Sequence, residues 1–154
     1  MDDDFAENRD RRLVSTEIQP DMKLTTKSEY ALLALTYLAR QDTSELVSGE
    51  QIAREQVIPQ NYLRQILLNL KHAHYIHSTK GQHGGYRLAK PAASITLAEI
   101  VRLFDGPLAP TESVSTFFYE STPVEKEKKL TEVFRDIRDY VAGVLEKTTL
   151  ADVL

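Results

Sequence analysis

The chain has 154 residues, a formal net charge of −4 and no cysteine. The lack of thiols excludes disulfides, thiolate metal sites and a cysteine nucleophile. No apolar run approaches the ~20 residues that cross a bilayer, and the acidic, polar start is unlike a secretory signal, so we expect a cytoplasmic protein without membrane contact.

The charges are distributed unevenly along the chain. Residues 1–21 carry 3 basic and 7 acidic side chains, residues 22–91 carry 9 and 5, and residues 92–154 carry 7 and 11, which gives net charges of −4, +4 and −4. All 4 histidines also lie in the middle segment. A basic segment between two acidic ones is typical of a phosphate-binding face, and chance clustering explains it equally well.

The N-terminal part divides into a tail and a helix. Residues 1–21 have no apolar periodicity and are predicted to be disordered, with Met22 as an alternative start. A capping box of Thr26 and Glu29 predicts a helix from about Thr26 to Arg40. The predicted core-facing stripe consists of Tyr30, Leu33, Ala34, Tyr37 and Leu38.

Two further helices are predicted next. A capping box of Ser48 and Gln51 predicts a short helix over Gly49–Gln56, and Pro59 suits the start of a third helix over about Gln60–His72. The residues predicted to face inward are Leu63, Ile66, Leu67 and Leu70, and those facing outward are Asn61, Arg64, Gln65, Asn69 and Lys71. Amide and guanidinium groups read base edges, although most polar helix faces are only solvated.

A basic hairpin is predicted after the third helix. It pairs Tyr75–Thr79 with Tyr86–Ala89 around a glycine-rich tip, in which Gly81, Gly84 and Gly85 allow a positive φ. Helix, turn, helix and basic hairpin is the order of a winged helix-turn-helix, so residues 22–106 are predicted to bind DNA. A third capping box of Thr96 and Glu99 predicts a helix over Leu97–Phe104 that ends at Gly106.

The C-terminal part is predicted to hold a loop and a long helix. Residues 107–123 contain three prolines, and a loop of this length is usually functional or disordered. The long helix is predicted over about Val124–Lys147, and residues 148–154 are predicted to form a short terminal helix. Its apolar stripe predicts pairing with a second subunit, with packing on its own domain as the alternative. The stripe comprises Leu130, Val133, Phe134, Ile137, Tyr140, Val141, Val144 and Leu145. The fold is therefore expected to be mainly α with a small β-hairpin.

Several motifs carry a family resemblance. They are MKLTTK at 22–27, Tyr30-Ala31, IPQNYL at 58–63, KGQHGGYRL at 80–88, ITL at 95–97 and GPLAP at 106–110. In this order and spacing, across essentially all of 22–154, they resemble the Rrf2 family of bacterial winged-helix transcription regulators, which includes the iron–sulfur regulators IscR and NsrR. The terminal Leu150-Ala151-Asp152 is also typical of that family.

The resemblance implies a homodimer on double-stranded DNA, with the domains crossed through the long C-terminal helix. It implies that Tyr86 is structural and packs the hairpin onto the helices. The matched DNA-binding positions are Lys23, Thr25, Thr26, Lys27 and Tyr30 at the start of the first helix, Asn61, Tyr62 and Arg64 on the recognition helix, and Lys80 on the wing. The polar start and face of the recognition helix and the basic hairpin add Gln60, Gln65, His83 and Arg87 as expected DNA contacts. The dimerisation residues are expected to be Val133, Phe134, Ile137, Tyr140, Val141 and Val144.

The chain also departs from the family pattern. Cluster-binding members carry three cysteines in the loop after the GPLAP motif, whereas this loop reads TESVSTFFYESTP, with Ser113 at the first expected position. Because iron–sulfur clusters need thiolates, we expect no cluster and no other cofactor. Many members have Glu where this chain has Arg64, which favours guanine instead of cytosine. Gln82-His83 replaces the common Pro-Gly of the wing tip.

Other constellations leave alternatives open. His72, His74, His77 and His83 could bind zinc or copper, although histidines beside phosphate explain them as well. The aromatic run 117–119 could line an effector pocket or cover the base of the long helix. No catalytic set is present, so an enzyme is not expected.

The function expected from the sequence is a homodimeric DNA-binding regulator. We predict a repressor that binds an inverted-repeat operator without an iron–sulfur cluster, with a small-molecule or protein effector at loop 107–123. The alternative is a protein-interaction or ligand-sensing module of the same fold with weak or no DNA binding. The sequence does not specify the operator, the regulated genes, the signal or the direction of regulation.

Overall fold

The computed structural model describes residues 24–154 and confirms a mainly α fold with one small hairpin. The predicted tail 1–21, Met22 and Lys23 lie outside the described residues. The elements are α1 (Thr26–Arg40), α2 (Gly49–Gln56), α3 (Gln60–His72), β1 (Ile76–Thr79), β2 (Gly85–Leu88), α4 (Leu97–Asp105) and α5 (Lys128–Lys147). Short 3₁₀ turns cover Ala92–Ser94, Glu112–Val114, Pro123–Lys126 and Ala151–Val153.

Helix α1 has the predicted bounds but a different cap and a different buried face. The N-cap is Thr25, not Thr26, because Thr25 has the extended backbone of a cap and its hydroxyl accepts a hydrogen bond from the Ser28 N–H. Leu33, which was predicted to face the core, is 40% exposed. The buried face consists of Ser28, Ala31, Ala34, Leu35 and Leu38. Small side chains let neighbouring helices approach closely, and a pattern based on large apolar residues does not detect such a face.

The core lies between α1, α2, α3 and α4. All four residues predicted to face inward from α3 are buried, as are Ile52 and Ala53 of α2. Leu150, near the C-terminus, is also fully buried, and its N–H donates to the Ile95 carbonyl at 2.9 Å. The end of the chain therefore returns to the start of α4 and closes the domain.

The hairpin pairs β1 with β2 in antiparallel register, from Ile76 opposite Leu88 to Thr79 opposite Gly85. Val47, just before α2, exchanges two backbone hydrogen bonds with Tyr86, at 2.9 and 2.8 Å. Gly81 and Gly85 have the predicted positive φ, of 108° and 152°, but Gly84 does not. Gly84 is needed for close approach instead, because a Cβ there would lie 2.1 Å from the Thr79 carbonyl oxygen.

Two helix bounds on either side of the segment between α4 and α5 differ from the prediction. The Thr96–Glu99 capping box is present, and α4 runs one residue beyond the predicted end, to Asp105. Helix α5 begins at Lys128 instead of Val124, because Pro123–Lys126 forms a 3₁₀ turn. The Thr131 hydroxyl stabilises this turn, since it lies 3.0 Å from the carbonyl oxygens of both Val124 and Glu127. The predicted terminal helix is a single 3₁₀ turn.

Candidate DNA-binding surface

The turn between α2 and α3 sets the angle of the recognition helix. Ser48 caps α2 by accepting the Gln51 N–H at 3.1 Å, but the Gln51 amide donates to the Tyr37 hydroxyl, so the predicted reciprocal capping box is absent. Val57 ends α2 in the left-handed conformation, with φ of 55°. The Ile58 N–H then donates to the Ala53 carbonyl at 2.9 Å, and Pro59 precedes α3. These contacts fix α3 against α2 and leave the outer face of α3 free of them.

The outer face of α3 presents the predicted polar side chains to solvent. Gln60, Asn61, Tyr62, Arg64 and Gln65 are all exposed. The Gln65 amide donates to the Asn69 side-chain oxygen at 3.3 Å, which holds these two amides side by side. A helix that carries amide and guanidinium groups on one open face fits the requirements of base reading in a major groove.

The start of α1 lies against the first turns of α3. The rings of Tyr30 and Tyr62 meet edge to face, with centroids 6.1 Å apart. Beside them lies a cleft of about 320 Å³, with Lys27 from α1 and the remaining wall from α3. The α3 residues that line it are Asn61, Tyr62, Gln65, Ile66 and Asn69. The structure therefore brings the predicted backbone-contacting residues of α1 beside the predicted reading residues of α3.

A second cleft, of about 180 Å³, separates α3 from the hairpin and α2. Arg64 and Gln60 line one side of this cleft, and Tyr86 and Glu50 line the other. Tyr86 is half-buried and packs on the core. The geometry agrees with a structural role for Tyr86, because its ring and its backbone both attach the hairpin to the helices.

The hairpin tip and one face of the hairpin carry the predicted wing residues. Lys80, His83 and Arg87 are all exposed, and Arg87 lies opposite the exposed His77 in the antiparallel register. The four histidines are exposed as well, and within residues 24–154 no group of three or more potential metal-ligating side chains comes together. Among the described residues, neither Lys80 nor Arg87 has an ion-pair partner.

The base of the wing is attached to α4 by a short polar chain. The Lys90 ammonium lies 4.5 Å from the centre of the Tyr75 ring, and the Tyr75 hydroxyl donates to Glu99 at 3.2 Å. Burial, together with the Glu99 charge, raises the pKa of Tyr75. Burial opposes ionisation of Glu99, but the hydrogen bonds from Thr96 and Tyr75 outweigh it, so the pKa of Glu99 lies below its ordinary value.

One residue that the sequence did not single out lies at the start of α1. The Asp105 carboxylate, at the end of α4, accepts hydrogen bonds from the Thr25 N–H at 3.0 Å, from the Thr25 hydroxyl and from the Ser28 hydroxyl at 2.7 Å. The half-buried Thr25 side chain, predicted to contact DNA, is thus engaged within the chain. An aspartate before a glycine at a helix end gives no sequence signal for such a contact.

The apolar stripe of α5 is largely exposed in the part of the chain that the structure describes. Of the six predicted dimerisation residues, Phe134 and Val141 are half-buried and the other four are exposed. The exposed fractions are 52% for Val133, 38% for Ile137, 76% for Tyr140 and 50% for Val144, and Leu130 beside them is 44% exposed. Nothing within residues 24–154 covers this stripe.

Segment 107–123 is anchored by hydroxyl groups instead of thiols. The buried Ser113 hydroxyl accepts a hydrogen bond from Thr122 at 2.8 Å, and the Ser115 hydroxyl accepts one from the Phe118 N–H at 3.0 Å. Phe117 is 67% exposed, with the Arg102 guanidinium 4.7 Å from its ring centre. Neutral hydroxyls that are already hydrogen-bonded do not match the thiolate donors of an iron–sulfur cluster.

Comparisons with known proteins agree on one family. The model of the Rrf2 family, described as iron-dependent transcriptional regulators, matches residues 24–154. The transcriptional regulator CymR of Bacillus subtilis is 32% identical over 86% of this chain and 89% of its own length. Rv1287 of Mycobacterium tuberculosis, named among the HTH-type transcriptional regulators, is 38% identical over 86% of this chain and 81% of its own.

Solved structures show the same architecture. The structure of CymR, the global cysteine regulator of B. subtilis, superposes with a TM-score of 0.70 at 32% identity, over 85% of this chain and 95% of that one. IscR of T. potens superposes with a TM-score of 0.62 at 27% identity, over 85% of each chain. Within the described residues, no helix combines the length and apolarity required to span a membrane.

Proposed function

Because this chain belongs to the Rrf2 family of transcriptional regulators, which are not enzymes, we propose that it is a cytoplasmic homodimeric repressor. It binds an inverted-repeat operator and acts without an iron–sulfur cluster. The observation that carries this proposal is one continuous exposed surface. The start of α1, the outer face of α3 and the hairpin adjoin there, and each contributes cations or amides.

Each part of the surface has a separate task in this proposal. Helix α3 enters the major groove, where Asn61 and Arg64 read bases. Lys27 and Tyr30 contact the phosphate backbone beside it, together with Lys23, which lies outside the described residues. Lys80, His83 and Arg87 follow the backbone or the minor groove next to the half-site. Arg64 favours a guanine, which distinguishes this operator from one read by a glutamate.

The dimer forms through α5 in this proposal. The exposed stripe offers Leu130, Val133, Ile137, Tyr140 and Val144 on one side of a helix whose only buried residue is Thr131. Exposed apolar stripes of this size mark interaction surfaces. A twofold dimer covers the same stripe on both copies and places two recognition helices at two half-sites.

The donor set supports the proposed absence of a cluster. Ser113 and Ser115 are buried and hydrogen-bonded within segment 107–123, and the chain contains no cysteine to replace them. An effector that acts on this segment is therefore a small molecule or a protein. The exposed aromatic run 117–119 favours the alternative function, a sensing or interaction module of the same fold with weak DNA binding.

Base specificity tests the proposal through Arg64. Arg64→Ala should relax selection at one base pair per half-site and cost roughly 1–3 kcal/mol of binding free energy, measured by selection from a randomised duplex library. Arg40→Ala is the matched control, because Arg40 is exposed at the opposite end of α1. An unchanged preferred sequence in Arg64→Ala would remove Arg64 from base reading.

The salt dependence of binding tests the wing. Lys80→Ala should weaken DNA binding and make the slope of log affinity against log salt shallower by roughly 0.9 for each lost phosphate contact. The alternative sensing module would show weak, sequence-independent binding in the parent protein as well, and a melting temperature that rises with a bound metabolite or protein.

A further inference from the structure

Asp105 is the only residue of α4 that hydrogen-bonds to the start of α1 in the described part of the chain. One carboxylate oxygen accepts from the Thr25 N–H and from the Ser28 hydroxyl, and the other accepts from the Thr25 hydroxyl. Ser28 is fully buried, and its hydroxyl lies 2.7 Å from the Asp105 carboxylate and 3.0 Å from the Thr25 carbonyl oxygen. The contact joins positions 80 and 77 residues apart in the sequence.

The end of α4 is itself firmly held, so it can serve as a fixed support. Arg102, one turn earlier, pairs with Glu146 of α5 and stacks on Phe117. The Gly106 N–H donates to the Arg102 carbonyl at 3.1 Å, and Gly106 has a φ of 80°. The carboxylate is therefore placed by α4 and α5, and α1 is placed by the carboxylate.

The start of α1 also lies beside the candidate DNA-binding surface. Thr26 and Lys27 follow the capped residue directly and are exposed, and Lys27 lines the cleft beside Asn61 and Tyr62. Their N–H groups belong to the first helical turn, which lacks carbonyl partners within the helix and suits an anion. Any rotation of Thr25 would move these groups relative to α3.

We propose that Asp105 is a positioning residue for DNA binding, which fixes the start of α1 so that Thr26 and Lys27 meet the phosphate backbone in register with α3. This inference rests on the proposed function. A positioning role predicts the opposite of a purely electrostatic effect, because an acidic side chain close to DNA repels phosphate. On charge alone, removal of Asp105 would strengthen binding, whereas removal of a positioning contact weakens it.

The test measures fluorescence anisotropy of the full chain on a labelled duplex of random sequence, over a series of salt concentrations. A random duplex is sufficient because the contacts in question are to phosphate. Asp105→Asn should weaken binding by roughly ten-fold, as expected for the loss of one hydrogen bond to a charged group, and should make the salt slope shallower. A melting curve for each variant verifies that it is folded at the assay temperature.

Asp152→Asn is the matched control. Asp152 also accepts from a threonine N–H and hydroxyl, those of Thr149 at 2.8 and 3.0 Å, but it lies at the C-terminus. The Asp152→Asn variant should have the same DNA affinity and salt slope as the parent protein. Ser28→Ala is the second variant, since it preserves the charge of Asp105 and fits the buried site. It should weaken binding in the same direction by a smaller factor, and less than additively when combined with Asp105→Asn.

The outcomes separate the two proposals. Failure of the parent protein to bind any duplex would overturn the proposed function, and this inference with it. If the parent protein binds and Asp105→Asn binds with equal or higher affinity, whatever its salt slope, only the positioning role is overturned. If Asp105→Asn is unfolded, the Ser28→Ala result decides, and normal affinity in that variant would contradict the proposal.

Discussion

Helices α3 and α5 are both amphipathic, but within residues 24–154 the apolar face of α3 is buried and that of α5 is exposed. Leu63, Ile66, Leu67 and Leu70 of α3 are each at most 1% exposed. Along α5, five apolar side chains between Leu130 and Val144 remain 38–76% exposed. The two helices would be hard to distinguish by periodicity alone, since both place apolar residues on one face.

The difference shows that periodicity identifies an apolar face but not the surface that covers it. Helix α3 lies between α1, α2 and the hairpin and completes the core of its own domain. Helix α5 contacts α4 and the preceding segment on one side only, through contacts such as Arg138 with the Val114 carbonyl at 2.6 Å. Its open side is where we place the second subunit.

The largest expected effect comes from placing a charge on the open face of α5. Ile137→Lys should weaken self-association by roughly 1000-fold, because twofold symmetry buries the new charge twice. Sedimentation velocity at micromolar concentration should show a dimer for the parent protein and a monomer for the variant. Glu132→Lys, exposed on the same helix outside the stripe, should remain dimeric. A monomeric parent protein, or a dimeric Ile137→Lys variant, would contradict the assignment of the exposed face of α5 to a dimer interface.

A smaller effect is expected from the closed face of α3. Leu67→Ala should lower the free energy of unfolding by about 2–5 kcal/mol, since it leaves a cavity in the core. Leu68→Ala, at the next position, should cost less than about 1 kcal/mol because Leu68 is 43% exposed. Urea unfolding measures both values. Equal losses of unfolding free energy in the two variants would contradict the burial of Leu67 and the exposure of Leu68.

The smallest effect is a pH dependence at the start of α4, where Glu99 helps to hold the wing. Its folded pKa lies below the ordinary value of 4.5, so its stabilisation is complete above that value and is lost as the pH falls through the folded pKa. Glu99→Gln should cost about 1 kcal/mol at pH 7, as for a lost cap, and the difference from the parent should shrink below pH 4.5. Thermal melts from pH 7 to pH 3 measure this stability difference. A difference that stays constant over this pH range would show that ionised Glu99 does not stabilise the start of α4.

The helices, the hairpin and the exposed positions of the candidate site could be predicted from the sequence because they depend on local patterns. The bounds of α2 and α3 and the inward face of α3 follow from the Ser48 cap, from Pro59 and from apolar spacing. Three features were predicted wrongly: the N-cap of α1, which is Thr25 and not Thr26, the buried face of α1, and the start of α5. The first two depend on packing against α4, and the third depends on a 3₁₀ turn that the Thr131 hydroxyl stabilises.

The contact of Asp105 with Thr25 and Ser28 could not be predicted, because it joins residues about 80 positions apart and no sequence periodicity records it. The same limit applies to Gly84. Its role is set by the distance to the Thr79 carbonyl across the turn, not by its own φ.

The proposed function depends above all on sequence-specific DNA binding without a cluster. Fluorescence anisotropy can measure this binding for the purified chain on DNA from the region upstream of its own gene, against a scrambled duplex at two salt concentrations. We expect tight, salt-sensitive binding that prefers the native sequence, in protein without iron. Equal weak binding to both duplexes would contradict it and favour the sensing or interaction module.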